Sequence, residues 1–303
     1  MKKLFIKIFI FLLLLGLIDQ CIGKCLDILV TNAKGGDTGR NNYIVNKTHV
    51  EIILFGSSRC AHHYDPRIIQ NGLHMTCYNA GRDGNGILMM YPYYKMMSMR
   101  YQPKLIIYDL SEFDVQEDDH TKYLEWLRQF YGRYEVNKVV WKINSNERFK
   151  MICDSYRYNG KGLQIIADNI HPMQYDIMGY KPLLGVMPYN HKLSNLNDHV
   201  QKDIDPLKKS YLIHLILDCK NNGTRLIFMV SPSYKHAYRS EYYYAIKSLC
   251  WRYHVPFLYY QDDKRFIFNR LYFKDSAHMN NVGAELYTKK IVFEIKKYLT
   301  LKP

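Results

Sequence analysis

No C-x-x-C pair occurs in the 303 residues, and the seven cysteines (21, 25, 60, 77, 153, 219 and 250) are odd in number and widely separated. That spacing supports neither a zinc site nor a dense disulfide framework. It leaves most of these thiols as small buried apolar groups, with a single disulfide still open. No internal repeat is visible. No basic run is joined to a recognisable RNA- or DNA-binding motif, so scattered surface lysine accounts for the net charge of +14 better than a nucleic-acid footprint does. What is present is ordinary for a globular chain: 48% hydrophobic and 23% charged residues, which excludes wholesale disorder and collagen-like or coiled-coil architecture. The length suits one large domain or two small ones. A pI near 9.3 favours contact with an anionic surface such as phospholipid or acidic glycan, without selecting between them.

The N-terminus reads as a segment apart. Lys2, Lys3 and Lys7 precede the apolar run Ile8–Ile18, which Asp19 ends. A positive flank before a hydrophobic segment keeps the N-terminus cytoplasmic and sends the following chain outward. The uninterrupted run is shorter than the ~20 residues of a comfortable span. Extending it from Leu4 to Ile22 takes in Lys7 and Asp19, whose polar ends would have to reach the interface. Three readings compete: an uncleaved anchor, a cleaved signal peptide and a lipoprotein signal. Cys21-Ile22-Gly23 is the best small-x-small site, and Ile18-Asp19-Gln20-Cys21 lacks the small residues expected before a lipidated cysteine. The expectation is a membrane anchor within residues 1–25, with cleavage and secretion second. Either way, residues 26–303 form the exported part, on the periplasmic or cell-surface side.

Beyond Asn46 short β-rich runs alternate with helical patterns. Glu51–Phe55, Thr76–Tyr78, Leu105–Tyr108, Arg225–Val230 and Pro256–Tyr260 read as strands, and 86–100, 120–131, 203–220, 240–253 and 281–299 as helices. Near-continuous apolar strands separated by helices imply a mainly parallel sheet covered on both faces, which places its chemistry at the strands' carboxyl ends. Residues 135–200, rich in Gly, Asn, Pro and Tyr, break the rhythm and read as an irregular insertion that could form a lid or substrate wall.

Two short motifs carry chemistry. Gly56-Ser57-Ser58-Arg59 ends the first strand, where a glycine permits a sharp turn and a serine can begin the next helix. Backbone N–H groups and the helix dipole there stabilise a developing oxyanion. A turn with N-capping serines gives the same sequence. Asp275-Ser276-Ala277-His278 stands just before the last helix, and Asp and His three residues apart can share one side of a turn. The carboxylate could then orient an imidazole that takes a hydroxyl proton. An N-capping Asp275 beside a partly exposed His278 is the structural alternative. His62-His63 looks metal-like, but adjacent histidines project in different directions and no carboxylate has ligand spacing, so neither a metal nor another cofactor is expected. Arg59 reads as a structural contact before a substrate-carboxylate contact. The Met/Tyr segment 91–101 reads as core before a glycan- or lipid-facing surface. Ser231-Pro232-Ser233, at the end of the fourth strand, reads as a proline turn.

Together the two motifs and the parallel α/β pattern resemble the SGNH/GDSL hydrolase superfamily over about residues 50–300, apart from the insertion. The family's first block overlays Gly56-Ser57-Ser58 and implies Ser58 as nucleophile, with Ser57 the candidate if the turn is shifted by one residue. A second block, N-x-x-x-x-G, fits Asn79 to Gly84 and gives the Gly84 N–H to an oxyanion hole that the Ser58 N–H completes. The last block fits Asp275, His278, Asn280 and Gly283. The fold implied is a flavodoxin-like three-layer α/β sandwich with a mainly parallel five-stranded sheet, plus the N-terminal hydrophobic helix.

Two departures stand out. Ser57 replaces the family's aspartate, a G-S-S variant familiar among exported acyl-transfer relatives. The third block should supply an oxyanion asparagine, and the ungapped alignment puts Phe113 there. The function implied is an exported serine esterase or O-acyltransferase acting on acyl, chiefly acetyl, esters of a surface or secreted polysaccharide. The alternatives are a non-catalytic SGNH-like scaffold or glycan-binding protein in a polysaccharide-modification complex, and a lipid esterase. The partners expected are an acylated polysaccharide or other acyl ester and the membrane, with no nucleic acid.

Overall fold

A computed structural model describes residues 1–173, 176–189, 203–234 and 241–300. In chain order these form α1 (Lys2–Asn32), α2 (Gly36–Asn42), β1 (Ile52–Gly56), α3 (Ser58–His63), α4 (Pro66–Leu73), β2 (Cys77–Asn79), α5 (Ile87–Ser98), β3 (Leu105–Asp109) and α6 (Leu124–Leu127). There follow α7 (Tyr134–Ile143), α8 (Glu147–Lys150), α9 (Gly162–Ile170), α10 (Pro206–Asn221), β4 (Arg225–Val230), α11 (Glu241–Arg252), β5 (Phe257–Tyr259) and α12 (Asn281–Thr300). All five expected strands are present. Four of the expected helices are α5, α10, α11 and α12. The fifth, 120–131, is instead α6 between two 3-10 turns, with Tyr123, Leu124, Trp126, Leu127 and Phe130 buried. Residues 135–173 of the irregular region hold α7–α9, while 174–175 and 190–200, like residue 240 of the expected helix 240–253, lie outside the described residues.

The chain groups into two compact units. The larger comprises 49–91, 98–118 and 175–303. It contains one sheet, order β2-β1-β3-β4-β5, with every pair parallel. Ile52, Leu54, Leu105, Ile107, Ile227 and Met229 lie on one face and pack against Cys60 of α3, Ile69 of α4 and Tyr287, Ile291 and Ile295 of α12. The alternate residues Ile53, Phe55, Ile106, Tyr108 and Phe228 are also buried, and α10 packs against β4. Both faces are therefore covered, which is why these strands are apolar throughout rather than alternating. This is a flavodoxin-like three-layer α/β sandwich. From β1 the chain pairs to one side with β2 and to the other with β3, so the strand order reverses at the carboxyl end of β1, where such folds bind their ligands.

The smaller unit comprises 1–48, 92–97 and 119–174. Its α1 divides along its length. Leu26, Leu29 and Val30 pack with Tyr158 and Ile165, and the Tyr158 hydroxyl donates to Asp27 at 3.1 Å. These tertiary contacts carry the helix past the segment boundary that the sequence suggests near Gly23. The part from Leu4 to Ile18 is exposed and, apart from Lys7, apolar, and α1 is long and apolar enough to cross a membrane.

Candidate active site

At the end of β1, Gly56 adopts φ +146°, and a Cβ there would lie 2.6 Å from the Asp109 carbonyl oxygen. Only glycine fits, and it lets the chain leave the sheet sharply. Ser57 stays extended as the residue before α3 and is buried, while Ser58 opens the helix. The Ser58 backbone N–H, at the first turn of α3, has no acceptor among the described residues.

The D-x-x-H turn meets this serine. Asp275 Oδ1 accepts the backbone N–H groups of Ala277 and His278, each at 2.8 Å. Its carboxylate also accepts from His278 Nδ1–H at 2.9 and 3.1 Å. The opposite nitrogen, His278 Nε2, lies 2.7 Å from Ser58 Oγ and accepts its proton. Ser58, His278 and Asp275 thus form one hydrogen-bonded chain, and the imidazole faces Ser58 rather than Ser57. Burial pushes the Asp275 carboxyl up, but the His278 ring, the two N–H donors and the His278 charge outweigh it and hold the group at about 2.

The second block is lashed to α3 by Asn79. Its Nδ2 donates to the carbonyls of Cys60 (2.7 Å) and Tyr64 (3.0 Å), and its Oδ1 accepts the Gly81 N–H at 2.9 Å. The loop that follows leaves the Gly84 N–H without an acceptor among the described residues, with open space beyond its Cα. Asp83 reaches His62 Nε2 at 3.1 Å, and His62 Nδ1–H donates to the Lys181 carbonyl at 2.7 Å. The His62 ring stands edge-on to His278 with centroids 5.4 Å apart. In the last block, Asn280 Oδ1 accepts the Gly283 N–H at 3.0 Å, and its Nδ2 donates to the carbonyls of Gly185 and Leu271. It therefore fixes the loop that carries His278.

Phe113 brings no side-chain donor. Its side chain is half exposed, and its carbonyl accepts from Lys208 Nζ at 2.8 Å. The turn holding it is closed by Asp114, which accepts the Ser111 N–H and hydroxyl at 2.9 Å and the Tyr108 hydroxyl at 2.6 Å. Lost burial of the aromatic ring is thus offset by a well-satisfied polar turn.

A buried relay beneath the serine is not evident in the sequence. His63 Nε2 accepts the Met279 N–H at 2.9 Å, and its Nδ1–H donates to Ser231 Oγ, also at 2.9 Å. Ser231 Oγ–H donates to Asp109 Oδ2 at 3.0 Å, and Asp109 Oδ1 accepts from the Tyr64 hydroxyl and the Ser231 N–H. Arg59 donates through Nε and a terminal nitrogen to the Ser231 hydroxyl and carbonyl. Arg59 is thus a structural contact, and Ser231 is more than part of a proline turn. Burial, then the neighbouring Arg59, His278 and His62, hold His63 well below the ordinary histidine range, so it stays neutral and keeps Nε2 free to accept. The signal in the sequence is position alone: Asp109 ends β3, Ser231 directly follows β4, and His63 ends the helix after β1. Replacing Asp109 by alanine is expected to lower the unfolding free energy by about 3–5 kcal/mol in urea titrations, because three buried donors lose their acceptor.

No known family profile matches the chain, and no curated protein matches it. Similar solved structures exist. An acetyl xylan esterase is 10% identical with a TM-score of 0.41, and the match covers 82% of this chain and 98% of that one. A GDSL-like lipase from Bacteroides thetaiotaomicron is 11% identical with a TM-score of 0.36, covering 80% and 88%. A family two carbohydrate esterase from Clostridium thermocellum, solved with cellohexaose, is 12% identical with a TM-score of 0.41, covering 82% and 64%.

Proposed function

We propose that this chain is a membrane-anchored, exported serine esterase or O-acyltransferase that cleaves or transfers a small acyl group, chiefly acetyl, on a surface or secreted polysaccharide. The observation that carries the reading is the 2.7 Å hydrogen bond from Ser58 to an imidazole whose other nitrogen is held by Asp275. As Ser58 Oγ bonds to the ester carbonyl carbon, its proton passes to His278 Nε2 and the carbonyl π pair moves onto oxygen. The N–H groups of Ser58 and Gly84, which have no acceptor among the described residues, receive that oxyanion. When the tetrahedral adduct collapses, the C–O bond to the alcohol breaks and the alcohol leaves with the proton from His278. Water, or a sugar hydroxyl in the transfer reaction, then attacks the acyl-Ser58 by the same proton path in reverse. Asp275 fixes the His278 tautomer and balances the imidazolium. No group supplied from outside the chain is needed.

In this reading residues 1–25 are the anchor, and 26–303 carry the catalytic fold with an insertion around 135–200. The absence of a side-chain donor at Phe113 predicts slow turnover, since one missing oxyanion donor costs ~10²–10³. It also motivates the alternative of a non-catalytic scaffold. A fluorophosphonate probe separates the two. Labelling is expected at Ser58 alone, by peptide mapping of the full chain. No labelling, under conditions that label a control serine hydrolase, would favour the scaffold.

A further inference from the structure

The smaller unit meets α1 at a defined height. Asp19 accepts the Asp154 N–H at 2.6 Å, the Ser155 N–H at 3.2 Å and the Ser155 hydroxyl at 2.5 Å. One turn later α1 runs so close that a Cβ on Gly23 would fall 2.5 Å from the Asp154 Cβ. The protein body therefore begins beside Asp19. The exposed stretch before it, Leu4–Ile18, apolar except for Lys7, spans roughly 22 Å at helical rise, against a hydrocarbon core of about 30 Å. With the lysines at the start of α1 reaching the opposite interface and the bilayer thinning by a few Å, the hydrocarbon ends near Asp19, which places the corner at Asp154 in the headgroup layer.

That corner is equipped for it. Ile152, two residues before Asp154, is 80% exposed, and Phe149 is 65% exposed. Arg148 and Lys150 flank Phe149 in sequence, and the Arg148 guanidinium lies 5.6 Å from the centre of the Phe149 ring. Lys150 is paired with Glu147 at 3.1 Å and Arg157 with Asp154 at 3.7 Å. Aromatic and aliphatic groups flanked by cations are what an interfacial segment presents to anionic lipid, where each cation near the surface contributes about 1 kcal/mol. Exposed Leu163, on α9, is a natural contrast. Its helix packs at Val30, which lies roughly 17 Å further along α1 from Asp19 and out of reach of the headgroups.

We infer that α8 and the turn after it, residues 147–153, form a second membrane contact that seats the smaller unit on an anionic bilayer beside its anchor. This rests on α1 being a retained anchor. The test uses the full chain with Cys21, Cys25 and Cys153 replaced by serine, carrying an environment-sensitive nitrobenzoxadiazole label at Ile152→Cys or, separately, at Leu163→Cys. Vesicles are phosphatidylcholine with about one-third phosphatidylglycerol, and both labelled proteins are first floated with them. The label at 152 is expected to shift to the blue and to be quenched roughly twofold or more by lipids spin-labelled near the headgroup, while the label at 163 stays water-like. Labels that behave alike and water-like on floated protein would overturn the contact and leave the anchor standing. Protein that does not float would overturn both.

Discussion

Ser58→Ala is expected to abolish hydrolysis of a small chromogenic acetate ester while leaving the fold intact. In a complete serine triad, removing the nucleophile lowers turnover on the order of 10⁶-fold, down to the residual rate supplied by binding and the oxyanion hole. This site starts lower, because Phe113 leaves it one donor short, so the measurable drop compresses to about 10³–10⁴ in kcat. Ser58 Oγ is bonded to His278, and Ser58 opens α3, where alanine is a good helix former, so the thermal midpoint should barely move. A loss of activity with unchanged melting assigns the chemistry to the hydroxyl. Retention of full activity would remove Ser58 from the mechanism, and with it the esterase reading.

The sheet was legible because burial on both faces makes its strands nearly continuous apolar runs, which stand out without any alignment. Ser58, His278, Asp275 and the second-block loop were legible for another reason: each lies within a few residues of a strand or helix end, and the fold brings those ends to one edge. The relay of His63, Ser231 and Asp109 was not. Ser231 is 168 residues from His63 and 122 from Asp109, and the three meet only because β1, β3 and β4 are neighbours in the sheet. Local sequence around Ser231-Pro232 says turn, and nothing in it says that the hydroxyl sits between an imidazole and a carboxylate. The full extent of α1 escaped for a similar reason. Its second half is held by Tyr158 and Ile165, whose contacts a hydropathy pattern does not encode.

In a complete triad, asparagine in place of the aspartate costs ~10⁴. With one oxyanion donor missing here, Asp275→Asn is expected to lower kcat by about 10²-fold, less than Ser58→Ala, with little change in KM or in folding. The asparagine carbonyl still accepts the Ala277 and His278 N–H groups, so the turn survives. Its amide, however, presents N–H to His278 Nδ1, which must then become an acceptor. The ring proton moves to Nε2, facing Ser58 Oγ, and the imidazole can no longer take the serine proton. Asp275→Ala should add a stability loss, because both turn donors then lack an acceptor. The pH dependence separates this role from a merely structural one. With its folded value at about 2 against an ordinary 3.8, Asp275 stabilises the fold fully above 3.8, and that contribution fades as pH falls through about 2. Between pH 6 and 8 Asp275 is ionised throughout, so its own titration does not switch activity in that interval, and the ratio of wild-type to Asp275→Asn turnover should stay well above one across it. A ratio that collapses toward one anywhere in that interval would mean that the carboxylate does not set the tautomer of His278.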